Sequence, residues 1–130
     1  MIVDSSVIIA ILRNEADAAA ISAALQDAPV CRVSAVNYVE AAVVTDSNRN
    51  PVLSRRFDDL LRDVGMRVEA VTLRQAEIAR AAYRDFGKGR YKAGLNLGDC
   101  FAYALAKEMD EPLLFKGNDF ARTDVERADI

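Results

Sequence analysis

Short apolar runs suited to buried strands alternate with helix-length stretches along this chain, and that alternation limits its fold more than any other feature. Met1-Ile2-Val3 opens as one strand, Val30-Cys31-Arg32-Val33 is a second, Arg67-Val68-Glu69-Ala70-Val71 a third and Leu113-Leu114-Phe115 a fourth. The first and last are apolar throughout, as strands of a parallel sheet buried on both faces must be. The third alternates and belongs near an edge.

Helices fill the intervals. Ser5 or Ser6 can cap a first helix running to about Leu12, and Arg13-Asn14 breaks it. Glu15 to Gln26 is a second, alanine-rich helix, closed by Asp27-Ala28-Pro29. Ser34 caps a third, whose apolar stripe is Val36, Val39 and Val43. Pro51 suits the first turn of a fourth, with Leu53, Phe57, Leu60, Leu61 and Val64 on one face and Gly65 as its stop. Thr72-Leu73-Arg74-Gln75 has the pattern of a capping box for a fifth, reaching about Phe86. Beyond a basic, glycine-rich loop from Gly87 to Gly94, Asn96 opens a nearly wholly apolar sixth helix, expected to be central. The tail from Thr123 is expected to add a last short strand. This order predicts an α/β protein, a three-layer α/β/α sandwich on a short, mainly parallel central sheet. At 130 residues, positions 1–130 are expected to form one domain burying roughly two-thirds of its extended-chain surface.

Absent residues narrow the chemistry. There is no histidine, which excludes Ser-His-Asp and Cys-His catalysis within one chain. Zinc would have to be held by carboxylates and two distant thiols, Cys31 and Cys100. Those two are too few for a disulfide framework, and Cys100 packs as a small hydrophobe. No apolar run approaches the roughly 18 residues of a membrane span, and no basic leader precedes the first strand. A soluble, cytoplasmic protein is therefore expected. A net charge of −3 argues against nonspecific coating of nucleic acid.

Carboxylates remain as the source of chemistry. Asp4 stands at the end of the first strand, where ligands collect in parallel sheets, although a strand-end Asp is also a good helix cap. Glu40 flanks the valine stripe of its helix, either snorkelling to water or paired inside. Asp99 is the one charge in its helix before Lys107; the helix dipole favours it there, but a ligand role explains it better. Asp119 follows the fourth strand, as a turn residue or a site residue. Parallel topology lets all four face one cleft. Two carboxylates about 4 Å apart repel by on the order of 4 kcal/mol at an effective dielectric of 20, so such a gathering requires a cation. All-oxygen ligation selects Mg²⁺ or Mn²⁺ over zinc.

Four segments in this order and spacing resemble a known family: Ile2-Val3-Asp4-Ser5-Ser6; Ser34-Ala35-Val36-Asn37-Tyr38-Val39-Glu40; Gly94 through Ala106 with Asp99 inside it; and Pro112-Leu113-Leu114-Phe115-Lys116-Gly117-Asn118-Asp119-Phe120, with Thr123-Asp124 behind. Over essentially its whole length the chain resembles a PIN domain, specifically the VapC-type ribonuclease toxin of a bacterial toxin–antitoxin pair. The resemblance implies an endoribonuclease dependent on Mg²⁺ or Mn²⁺, with Asp4 and Asp99 as direct metal ligands and Glu40 in the same cleft. Many relatives carry an acid where this chain has Gly117, so either Asp119 takes that role from two residues on, with Asp124 a weaker candidate, or the site works with three acids. Ser6 matches a small hydroxyl residue near the metal. The implied chemistry is attack by a metal-bound water, leaving 5′-phosphate and 3′-hydroxyl ends. Lys88, Arg90 and Lys92, with Tyr91 to stack on a base, could hold the RNA strand. The implied partners are a second copy of the chain and a cognate VapB-type antitoxin.

Two rivals remain. A phospho-receiver-like signalling module would also have acids at strand ends and a lysine such as Lys116 after a late strand, but it requires a phosphoacceptor Asp ending the third strand, and Arg67–Thr72 has none. The other is a non-catalytic α/β binding protein.

Overall fold

The structure, a computed structural model, describes residues 1–87 and 94–130. Its centre is a four-stranded, all-parallel sheet in the order β3-β2-β1-β4, built from β1 (Ile2–Val3), β2 (Arg32–Ser34), β3 (Arg67–Glu69) and β4 (Leu113–Leu114). Ile2 stands opposite both Arg32 and Leu113, which places β1 in the middle. β3 is at an edge, as its alternating sequence predicts.

Successive strand residues face opposite layers. Val3, Val33 and Leu114 pack with α1 (Ser5–Leu12), α2 (Ala18–Asp27), α3 (Ala35–Asp46) and α4 (Pro51–Asp63) through Ile8, Ile21, Leu25 and Phe57. Ile2 and Leu113 pack the other way, with α5 (Leu73–Phe86) and α6 (Leu97–Met109) through Ala79, Leu105 and Phe120. The predicted three-layer sandwich is therefore present. Burying each large aliphatic side chain of these layers contributes about 1.5–3 kcal/mol.

Several local readings change. Asp4, rather than Ser5 or Ser6, is the N-cap of α1 and accepts from the Ser6 amide. Thr72 accepts from the Gln75 amide, but the Gln75 side chain donates to Glu108 at 2.8 Å, so the box stays half made. The reciprocal capping box is at α6, between Asn96 and Asp99. The tail contributes an isolated parallel bridge, Leu113 to Arg127, and no strand. The largest correction concerns α3. Its buried row is Asn37, Ala41 and Thr45, while Val39 and Val43 are more than half exposed. Small and polar side chains face inward because their donors find internal acceptors: Thr45 Oγ1 donates to the Ala41 carbonyl at 2.9 Å and Asn37 Nδ2 to the Gly98 carbonyl at 3.0 Å, while Asn37 Oδ1 is buried without a hydrogen-bond partner.

Candidate functional site

The carboxyl ends of the central strands open into a cleft of about 270 Å³. Asp4, Glu40, Asp99 and Asp119 all line it, together with Ser5, Ser6 and Asn96. Each acid arrives on a different element. β1 ends at Asp4, α3 carries Glu40, α6 carries Asp99 in its first turn, and Asp119 stands on the turn after β4. Asp4 and Asp99 are buried, Glu40 is half-buried and Asp119 is exposed.

The buried pair shares one design, in which one oxygen does structural work and the other is left over. Asp4 Oδ2 accepts from the Ser6 amide at 3.1 Å and from Ser6 Oγ at 2.6 Å. Asp4 Oδ1 is buried with no hydrogen-bond partner. Asp99 Oδ2 accepts from the Asn96 amide at 3.0 Å, while Asn96 Oδ1 accepts from the Asp99 amide at 2.9 Å. Capping and a site role, open alternatives in the sequence, are compatible because a carboxylate has two oxygens.

Ser6 also accepts from the Lys116 amide at 3.1 Å, which ties Asp4 to the backbone just past β4. Gly117 follows with φ +88°, a conformation that side chains rarely adopt, and turns the chain toward Asp119. The Lys116 ammonium reaches away, to Glu15 at 2.6 Å and Asp17 at 2.9 Å. A receiver-type lysine would be expected among the strand-end acids, and this one is committed elsewhere. No lysine or arginine lines the cleft among the described residues.

The electrostatic consequence is a strained set of charges. Burial raises the Asp4 carboxyl above its ordinary value, and the negative charge of Glu40 raises it further against the Ser6 hydrogen bonds. Burial pushes Asp99 up to about 7, with Asp4, Asp119 and Glu40 adding to the rise. A cation would relieve both. The donor set fits a hard divalent ion: oxygen ligands throughout, one of them a buried carboxylate oxygen with no partner. As they stand, no group of three such acids among the described residues is close enough to hold an ion. The Glu40 carboxylate accepts from Ser5 Oγ and from Asn37 Nδ2.

Two site neighbours were not singled out as functional from the sequence. Asn37 lies one turn before Glu40, and Gly98 directly precedes Asp99. A glycine inside an apolar helix was the available signal, since it weakens a helix unless something needs the space. Asp124 lies elsewhere, accepting from the Tyr103 hydroxyl at 2.5 Å and the Lys107 ammonium at 3.1 Å. Lys88, Arg90, Tyr91 and Lys92 lie outside the described residues.

Comparison with known proteins extends this geometry. The PIN-domain family model matches residues 1–126. Ribonuclease VapC28 of Mycobacterium tuberculosis is 58% identical over 129 residues, covering 98% of this chain and 97% of the relative. Among solved structures, M. tuberculosis VapC20, described as a toxin that cleaves the sarcin-ricin loop, superposes with a TM-score of 0.76 at 15% identity, covering 98% of this chain and 97% of that one. A toxin–antitoxin complex from Klebsiella pneumoniae gives 0.74 at 18%, covering 95% and 92%. At those identities the two structures speak to the fold.

Proposed function

The chain belongs to the VapC ribonuclease family of PIN-domain proteins, and from that membership we propose a metal-dependent endoribonuclease toxin whose cleft acids hold Mg²⁺ or Mn²⁺. The observation that carries this reading is the convergence of Asp4, Glu40, Asp99 and Asp119 on one cleft, with Asp4 Oδ1 buried and unpaired and, among the described residues, no lining cation to offset them.

Asp4 and Asp99 would be the direct ligands, each through the oxygen its capping bond leaves free. Ser6 fixes the Asp4 carboxylate from one side, and the Asn96 amide fixes Asp99. Because both acids are held before any ion arrives, binding orders little of the chain. Glu40 and Asp119 complete the negative field on the remaining walls, Asp119 taking the part that Gly117 cannot. A bound Mg²⁺ or Mn²⁺ would polarise the scissile phosphate, acidify a bound water and offset charge on the leaving oxygen. Because the chain has no histidine, a carboxylate or solvent would have to take up the proton that such a water gives up. Glu40, half-buried on the cleft wall and not assigned as a direct ligand, is the carboxylate placed to receive it. The products would be a 5′-phosphate and a 3′-hydroxyl, since the ribose 2′-OH takes no part.

RNA is the proposed substrate, with Lys88, Arg90, Tyr91 and Lys92 as its proposed contacts by their charge and stacking chemistry. The proposed assembly is a homodimer of single-domain chains, neutralised by a VapB-type antitoxin in the cytoplasm. The toxin–antitoxin complex of like fold from K. pneumoniae supports such a partner. Among the described residues, no helix is long and apolar enough to cross a membrane. The test is expression in a bacterium with sequencing of new 5′-phosphate ends. Wild type is expected to produce discrete new ends and Asp99→Asn to produce none. Cleavage that survives the substitution contradicts the mechanism.

A further inference from the structure

The Glu40 carboxylate rests in a seat made by residues from three helices. Ser5 Oγ, on α1, donates to Glu40 Oε1. Asn37 Nδ2, one turn earlier on α3, reaches the same oxygen at 3.4 Å while donating to the Gly98 carbonyl on α6 at 3.0 Å. Asn37 is wholly buried, so its amide holds α3 against α6 out of reach of water.

Gly98 supplies the space. A Cβ built there would lie 2.2 Å from Glu40 Oε2, 2.8 Å from its Cδ and 2.9 Å from Oε1, closer than side-chain atoms approach one another. The carboxylate occupies the volume that any other residue at 98 would fill. Nothing in the backbone explains the glycine, because Gly98 is absent from the positive-φ positions and sits in the first turn of a regular helix. Alanine is the better helix former there. The local preference and the observed residue disagree, and Glu40 resolves the disagreement.

We propose that Gly98 and Asn37 are positioning residues for Glu40. Gly98 lets the carboxylate lie against the start of α6, and Asn37 locks the helix of Glu40 to the helix of Asp99, so that the two acids keep a fixed relation. The catalytic part of this inference rests on the ribonuclease reading; the seat itself rests on packing alone.

The experiment is a double-mutant cycle on the metal-free chain, comparing melting temperatures of wild type, Gly98→Ala, Glu40→Ala and the double variant. In wild type, Gly98→Ala displaces the carboxylate from Ser5 and Asn37, and the melting temperature falls by about 3–6 °C. In the Glu40→Ala background the same change fills vacated space with a better helix former, and the melting temperature holds or rises. That reversal of sign is not expected of a glycine that is merely structural. An equal fall in both backgrounds overturns the proposal. Should Gly98→Ala fail to fold, recovery in the double variant supports the seat and failure in both refutes it. In the RNA-cleavage assay with Mg²⁺, Gly98→Ala and Asn37→Ala each reduce the rate roughly 10–100-fold, the usual effect of losing a residue that supports a site. Wild-type rates in Gly98→Ala overturn the positioning role. If wild type itself cleaves no RNA, the ribonuclease reading fails while the melting cycle still decides the seat.

Discussion

The two ends of the same parallel sheet both gather charge, and they treat it in opposite ways. At the amino ends of β1 and β2, the Met1 ammonium meets Glu111 at 2.6 Å and Arg32 meets Glu111 at 2.8 Å, and Arg32 also reaches along the sheet to Glu69, the last residue of β3, at 3.0 Å. At the carboxyl ends, Asp4 and Asp99 face Glu40 and Asp119 across a cleft that no described cation lines. Burial pushes Glu111 up, but hydrogen bonds and charge from the Met1 ammonium and Arg32 outweigh it and hold the group below its ordinary value. Burial pushes Asp99 up to about 7, and its neighbours push the same way. Charge that a fold neutralises itself is read most simply as structure. Charge left unneutralised, in an otherwise well-packed protein, points to a missing ligand.

The contrast can be broken most severely at the carboxyl end. Asp4→Asn or Asp99→Asn keeps the capping geometry and removes the ligand charge. Single-turnover RNA cleavage with Mg²⁺ should fall by at least about a hundredfold, the upper end of what losing a merely supporting residue does. Ser6→Ala should fall about tenfold, since it loosens Asp4 without removing it. Full activity in either aspartate variant would leave the cleft without its assigned role.

Stability should respond with opposite signs at the two ends. Glu111→Ala removes the ion-pair partner of the Met1 ammonium and leaves Arg32 with Glu69 alone, and urea unfolding at pH 7 should show a loss of about 1–2 kcal/mol, between the values for exposed and buried pairs. Asp99→Asn in the metal-free chain should hold or raise stability, because it removes a repelled, buried charge. A loss there as large as that of Glu111→Ala would erase the distinction between the ends.

A smaller effect lies in the pH dependence. Asp99 has a folded value near 7, above its unfolded value, so the native metal-free chain binds the extra proton and this group's contribution falls as pH rises from about 4 to about 7. Glu111 is depressed when folded, so its contribution is present above the unfolded value and is lost as pH falls through the folded one. Melting curves from about pH 2 to about pH 8 should therefore show Asp99→Asn removing a downward slope above about pH 4, and Glu111→Gln removing an upward slope below about pH 4.5. Mg²⁺ in excess should flatten the first and leave the second.

Much of this contrast was legible in the residues. Asp4 after an apolar strand and Asp99 at the head of an apolar helix stood out because charge is rare in such settings, and both reach the cleft. The sandwich itself followed from the alternation of short strands with capped helices. What escaped depended on partners distant in sequence. The valine stripe of α3 pointed the wrong way because Asn37, Ala41 and Thr45 can face inward once Asn37 finds the Gly98 carbonyl, 61 residues on. Periodicity ranks apolar content and cannot register such a bond. Asp4 lost the cap to Ser5 or Ser6 in the sequence reading because a two-oxygen carboxylate was treated as serving one purpose. The Glu111 network was invisible for the same reason as Asn37, since it joins the chain's first residue to one just before its last strand.

Calorimetric titration of Mg²⁺ into the metal-free wild type and into Asp4→Asn tests the claim of an uncompensated carboxyl end most directly. The account predicts saturable binding by wild type and at least tenfold weaker binding once the unpaired Asp4 oxygen no longer belongs to a carboxylate. Absence of binding by wild type, or equal affinity in the variant, would contradict it.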